Sequence, residues 1–227
     1  INNLSIIVWD FKNPKFLPNL IFIIKNKIKE IFSNDDIGLI KKKIAYCNHE
    51  KFYKINSIKK KSFKKKTIYS KIVNENKKII KNYGGEADLD LLFCICNKIK
   101  SSNLLILETG VALGWSSLVF LFFLKKNKGK LFSIDMPYVK KNNFNYIGSI
   151  VPHFLKNKWQ LYKVPDFIGL KKIQKKKIKF DLIHYDSDKS YYGRKRSYEI
   201  LWDLLKKKGY FISDDISDNY AFFNFVK

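Results

Sequence analysis

Five short, largely apolar runs, each set off from the next by enough chain for a helix, limit what this sequence can fold into more than any other feature. The runs are Leu104–Leu107, Lys130–Ile134, Gln160–Val164, Phe180–Tyr185 and Tyr210–Ser213. The stretches around them predict helices over Asp88–Ile99, Ser116–Lys125, about Tyr146–Leu155, Ile168–Lys175 and Arg194–Lys207. A strand with one face in water alternates polar and apolar residues, whereas near-continuous apolar runs belong to strands covered on both faces. Strands alternating with helices therefore predict an α/β fold, a doubly wound and mainly parallel sheet with helices on both faces. Ligands of such sheets bind beyond the carboxyl ends of the strands, so chemistry is expected from the residues that follow each run.

Upstream of Gly84-Gly85 the pattern differs. Residues 1–82 are rich in Lys, Asn and Ile and predict helices near Leu20–Phe32 and Ile68–Ile80. Between them lie Lys59-Lys60-Lys61 and Lys64-Lys65-Lys66, read as an exposed linker or an anion-facing loop. The 227 residues suit one domain plus an extension: a lysine-rich, mainly helical N-terminal extension over 1–82 and a catalytic domain over 83–227. The apolar stretch Leu17–Ile24 is broken by Pro18 and Asn19 and is too short for a membrane span, so a cytoplasmic location is expected. Cys47, Cys94 and Cys96 are odd in number and lack CxxC spacing, which supports neither a disulfide framework nor a zinc ribbon. Cys94 and Cys96, inside an apolar run, are expected to be core thiols.

The formal net charge of +25 invites a nucleic-acid reading. Yet of the 45 basic residues only Arg194 and Arg196 are arginine. A surface built to grip phosphate or read bases would be expected to use the planar guanidinium fork, so a solvated lysine surface is the favoured reading of the charge.

The first strand runs into Glu108-Thr109-Gly110-Val111-Ala112-Leu113-Gly114-Trp115-Ser116-Ser117 and then a helix. Gly110 and Gly114 permit a sharp turn with close backbone approach to a ligand, and the helix start offers free N–H groups. The spacing is not GxGxxG, which argues against a dinucleotide cradle. The second strand ends at Asp135, a carboxylate able to accept both hydroxyls of a ribose.

Several segments in order resemble class I S-adenosylmethionine-dependent methyltransferases of the Rossmann-like fold, nearest to the subgroup with cephalosporin-biosynthesis-type and macrolide O-methyltransferase-like proteins. They are Gly85-Glu86-Ala87-Asp88-Leu89-Asp90-Leu91-Leu92, the turn just described, Leu131–Pro137, Val151-Pro152 with Trp159, Phe180–Asp188, and Ser213-Asp214-Asp215 followed by Ala221-Phe222. The resemblance spans about Tyr83 to Lys227. It implies that Glu108, Gly110, Gly114, Trp115 and Ser116 line the methionyl and ribose parts of S-adenosylmethionine, that Asp135 holds the ribose hydroxyls, and that Asp166 falls near the adenine. It implies further that Asp186, Asp214 and Asp215, after neighbouring strands, hold a divalent cation such as Mg²⁺ that fixes and acidifies an acceptor hydroxyl.

The subgroup commonly has His where this chain has Lys189; catechol-type O-methyltransferases resemble it there and carry a Lys as general base. Lys189 and Asp186 are thus the expected catalytic pair, while His184, within a strand, is expected to be a packed residue. Members of the family continue past the Ala221–Phe225 segment into two more strands. The sheet is therefore expected to lack its final hairpin, as a truncated fragment or as a sheet completed by another chain or by the N-terminal region. The expected activity is methyl transfer to an oxygen of a small molecule or saccharide, assisted by a divalent cation. The alternatives are an RNA methyltransferase gripping phosphate with the lysine-rich region, and a non-catalytic binding protein on a degenerate methyltransferase fold.

Overall fold

The computed structural model describes residues 21–22, 24–26, 28–29, 61–83, 85–86, 88–136 and 145–227. From Thr67 onward the elements are α1 (Thr67–Glu75), α2 (Lys77–Tyr83), α3 (Leu89–Lys98), β1 (Leu104–Thr109), α4 (Trp115–Lys125), β2 (Gly129–Asp135), a 3-10 helix (His153–Lys158), β3 (Trp159–Lys163), α5 (Asp166–Gln174), β4 (Phe180–Tyr185), α6 (Tyr191–Leu204), β5 (Leu205–Ser213) and α7 (Ala221–Val226). The strands form one sheet in the order β3-β2-β1-β4-β5, and every neighbouring pair is parallel. The chain runs outward from β1 through β2 to β3, then crosses back to lay β4 on the other side of β1. That reversal leaves a crevice between the carboxyl ends of β1 and β4, where ligands of open α/β sheets bind.

Two cores explain why the strands read as continuous apolar runs. Ile106, Leu131 and Leu182 belong to the cluster under α3 and α4, with Phe93, Leu118 and Phe120. Leu107, Phe132 and Ile183, one residue later in each strand, belong to the cluster under α5 and α6, with Leu170, Ile173, Tyr198 and Leu201. Successive side chains of a strand point to opposite faces, so a sheet covered on both must be apolar at every position. Full burial of one such side chain stabilises by about 1.5–3 kcal/mol.

Residues of the 61–80 stretch of the N-terminal extension pack into the same core. Phe63 is fully buried and packs its ring 5.6 Å from Phe93 and 5.5 Å from Phe122. The Asp90 carboxylate accepts the backbone N–H groups of Phe63 (2.7 Å) and Lys64 (3.2 Å), and the backbone of Lys61 exchanges hydrogen bonds with Cys94 Sγ. Lys61–Lys66 is therefore a pinned turn, with Lys64 paired to Glu86 at 2.5 Å and Lys61 Nζ bonded to Asn97. Lys59 and Lys60 lie outside the described residues, as does Cys47, while Cys94 and Cys96 are buried in the core as expected. Of the helix expected over Leu20–Phe32, the described residues are helical.

Three expected helices differ. The one over Ile68–Ile80 divides at Asn76, whose side-chain amide bonds the Ile72 carbonyl at 2.9 Å and so competes with the helix for its acceptor. The one over Tyr146–Leu155 is a turn at 146–150 followed by the 3-10 helix, because Gly148 takes φ +69° and Pro152 precedes the helical residues. The one over Arg194–Lys207 starts earlier, where the Ser190 hydroxyl accepts the Gly193 N–H, and stops at Leu204. Lys206–Lys208 instead belong to β5, with the Lys206 ammonium 2.9 Å from the Asp181 carboxylate. Among the described residues no helix is long and apolar enough to cross a membrane.

Candidate cofactor and methyl-acceptor site

The crevice opens where β1 gives way to Gly110. At φ +83° this residue lies in the left-handed region, and an added Cβ would sit 2.1 Å from the Asp186 carbonyl oxygen. Only glycine lets the turn after β1 approach the turn after β4 this closely. The ladder continues past the strands, with Gly110 N–H donating to Ile134 O (2.9 Å), Asp186 N–H to Thr109 O (2.8 Å) and Asp214 N–H to Tyr185 O (2.9 Å). These bonds align the residues following β1, β4 and β5 along one edge.

Asp135 closes the β2 side. Its Oδ2 accepts the backbone N–H groups of Val111 (2.9 Å) and Ala112 (2.7 Å), and its Oδ1 accepts that of Met136 (2.7 Å). The carboxylate thus ties the end of β2 to the glycine turn, and Ala112 is held at φ +47°. Burial pushes the Asp135 carboxyl up to about 6 despite these three donors.

Glu108 and Ser116 face the other way. The Glu108 carboxylate is completely buried and accepts the hydroxyls of Ser116, Ser117 (2.5 Å) and Ser133 (2.7 Å), while Ser133 also accepts Trp159 Nε1 at 2.8 Å. His184 Nδ1 lies 3.9 Å from Glu108, and the His184 ring packs on Phe120 at 5.8 Å. Burial opposes charge on His184, but Glu108 beside it, with Asp186 and Asp214 nearby, raises its pKa overall. Glu108 and Ser116 therefore spend their polar atoms inside the fold, joining β1, α4 and β2. Trp115 is also buried, its ring 5.9 Å from Tyr69, and its Nε1 has no hydrogen-bond partner among the described residues.

Asp166 opens α5. Its carboxylate accepts the Ser187 hydroxyl (2.8 Å) and more weakly that of Ser197 (3.4 Å). The Arg196 guanidinium lies 3.7 Å from the centre of the Phe22 ring and 3.9 Å from that of Phe167. Asp188 stands close by, its pKa raised by burial and then by the Asp166 charge.

The β4–β5 side carries the remaining charges. The Lys189 ammonium pairs with Asp186 Oδ1 and lies 3.0 Å from Asp215 Oδ2. Burial would lower the Lys189 pKa, but Asp186 and Asp215 outweigh it and raise it. The Asp214 carboxylate makes no hydrogen bond or ion pair among the described residues, and burial, followed by the Asp186 charge, raises its pKa.

The expected divalent-cation site does not fit this arrangement. Among the described residues no three His, Cys, Asp or Glu side chains form a group able to hold a metal ion. Two of the three expected ligands, Asp186 and Asp215, are instead bridged by Lys189.

Sequence reasoning passed over Arg194, which organises this side. Almost wholly buried, it donates from Nη1 to the Asp214 carbonyl (2.9 Å) and the Tyr198 hydroxyl (3.1 Å), from Nη2 to the Asp215 carbonyl (2.9 Å), and from Nε to the Lys189 carbonyl (3.2 Å). The available signal was compositional: a chain that uses lysine at nearly every basic position has its two arginines together here. Five donors in a rigid fork are what lysine cannot supply.

Residues 107–216 match a family described as a methyltransferase domain. No curated protein sequence matches the chain. Among solved structures, the O-methyltransferase TomG from Streptomyces achromogenes, involved in tomaymycin synthesis and solved with S-adenosylmethionine, is 15% identical, with a TM-score of 0.52 over 70% of this chain and 69% of that one. A protein from Corynebacterium glutamicum is 12% identical, with a TM-score of 0.50 over 74% of each chain. Identities this low speak for a shared fold.

Proposed function

We propose that the chain, whose residues 107–216 match a methyltransferase-domain family, transfers the methyl group of S-adenosylmethionine to a hydroxyl oxygen of a small molecule or saccharide. The observation that carries this reading is the glycine turn at the β1/β4 crevice, tied by its own amides to the Asp135 carboxylate. Oδ2 already accepts two backbone N–H groups and Oδ1 one, so Asp135 keeps one acceptor position, on Oδ1, for a ribose hydroxyl. Gly110 and Gly114 would leave the methionyl part room along the turn, and Asp166 would stand toward the adenine. Glu108, Ser116 and Trp115 support the turn from behind.

The bound cofactor supplies an electrophilic methyl carbon on a sulfonium. The acceptor oxygen bonds to that carbon as the carbon–sulfur bond breaks, and the electron pair stays on sulfur, leaving S-adenosylhomocysteine. The hydroxyl proton passes to Asp214, the carboxylate of the β4–β5 edge that makes no hydrogen bond or ion pair among the described residues. This in-line displacement requires orientation more than covalent help. Lys61 and Lys64 are engaged by Asn97 and Glu86, which favours a small acceptor over a phosphate grip at that turn.

Calorimetric titration of S-adenosylmethionine and S-adenosylhomocysteine tests the reading. We expect binding of both, weakened at least about tenfold, or about 1.4 kcal/mol, by Asp135→Ala. Folded protein that binds neither ligand overturns it.

A further inference from the structure

The charges on the β4–β5 edge do not add up to a vacant acidic site. Asp186 follows β4, Asp214 and Asp215 follow β5, and Lys189 opens the approach to α6. The ammonium bridges two of the three acids. The main chain is built to keep it there. The Lys189 carbonyl is gripped twice, by Arg194 Nε (3.2 Å) and Asn219 Nδ2 (2.9 Å). Asp215 is held at φ +49°, a left-handed conformation that a non-glycine residue adopts only when its surroundings impose it, and Arg194 Nη2 fixes its carbonyl. The same guanidinium holds the Asp214 carbonyl through Nη1. One buried arginine thus sets the backbone of Lys189, Asp214 and Asp215 together.

An ammonium has three N–H donors. Two reach Asp186 and Asp215, and the third has no partner among the described residues. The Asp214 carboxylate, close enough to feel the Lys189 charge, likewise accepts no hydrogen bond among the described residues. An unused donor and an unused acceptor in one cluster are the complement of a hydroxyl group, which accepts at oxygen and gives up a proton.

We propose that Lys189 is the resident cation of this site: bridged between Asp186 and Asp215, its ammonium takes the position a divalent cation would need and holds the acceptor hydroxyl by its remaining N–H, so that methyl transfer here runs without a metal ion. The proposal rests on the methyl-transfer reading above. It gives Lys189 a donor's role in place of the general base expected from sequence. In the step itself the acceptor oxygen, held by Lys189, bonds to the methyl carbon; the carbon–sulfur pair stays on sulfur, and the proton goes to Asp214. A divalent cation would have to displace a like-charged group whose main chain is clamped on both sides.

Mn²⁺ binding, followed by electron paramagnetic resonance on the purified, chelator-treated chain without cofactor, tests this directly. Lys189→Met frees Asp186 and Asp215 and should bind Mn²⁺ at least about tenfold more tightly than the wild type, as hard carboxylate oxygens left without a cation would. Lys189→Arg, which keeps the positive charge, should remain as weak a Mn²⁺ binder as the wild type. Thermal melts by circular dichroism identify folded variants, and Lys189→Ala replaces Lys189→Met if that chain does not fold. Equal Mn²⁺ affinity in wild type and the charge-removed variant, whether tight or absent, overturns the proposal. So does tighter binding by the wild type. Titration of S-adenosylmethionine into the same metal-free wild type reports separately on the methyl-transfer reading, so the two ideas fail by different measurements.

Discussion

The two halves of the sheet's carboxyl edge handle polar groups in opposite ways. On the β1–β2 side Glu108 is sealed inside the fold with three serine hydroxyls, and Asp135 is held by three backbone N–H groups. On the β4–β5 side Asp186, Lys189 and Asp215 keep part of their surface in water and meet mainly each other. The first half uses charge as mortar: a buried carboxylate is tolerable only when its lone pairs are filled, and filling them welds β1, α4 and β2 into one piece. The second half leaves side chains unfilled and fixes their backbone instead, through Arg194. A tightly bonded turn thus stands beside a cluster of partly exposed charges.

Removing mortar should hurt most. Glu108→Ala strands Ser116, Ser117 and Ser133 in the interior, and we expect a loss of about 4 kcal/mol of stability by urea denaturation. Asp215→Ala, on the other half, should cost under about 1 kcal/mol, because its ion pair is largely exposed to solvent. Equal losses would erase the distinction between the halves. Arg194→Lys comes next. It keeps the charge but cannot span the carbonyls of Lys189, Asp214 and Asp215 at once, and should cost about 3 kcal/mol in the same assay. A near-neutral result would show that the β4–β5 backbone holds its shape without the guanidinium.

The same contrast explains what could be read from the sequence. Strands β1 to β5 were legible because both sheet faces are covered, and the parallel order follows from the helices between them. The turn at Gly110 and the acid ending β2 were legible because a sharp turn out of a strand calls for glycine and the end of an apolar run marks the strand's edge. The inward turn of Glu108 was not, since a carboxylate after a strand looks the same whether it faces a ligand or three serines. Nor was the packing of Phe63 against Phe93 and Phe122, which arises from a long-range contact that no local period encodes. The bridging of Lys189 between Asp186 and Asp215 was not legible, because it depends on where a left-handed turn places Asp215.

Smaller effects sharpen the picture of the rigid half. Gly110→Ala forces a Cβ toward the Asp186 carbonyl at positive φ, and should lower stability by about 2 kcal/mol and weaken S-adenosylmethionine binding in parallel.

Asp135 should be the gentlest probe and the most informative. Its carboxyl titrates at about 6 in the folded chain, against 3.8 as the ordinary value. If the ionised form holds a ribose hydroxyl on its remaining lone pair, affinity for S-adenosylmethionine should be level above pH 6 and fall below it, approaching about tenfold per pH unit. Stability of the ligand-free chain should move the opposite way. A carboxyl whose folded pKa is raised holds its proton longer than in the unfolded chain, so its contribution grows as pH falls from about 6 toward 3.8. Asp135→Asn removes the titration and should flatten both profiles while binding more weakly throughout. Calorimetry and thermal melts across this range therefore separate a ligand-facing Asp135 from one that only braces the turn: a bracing residue would change the melting profile and leave the pH dependence of affinity as it is in the asparagine variant.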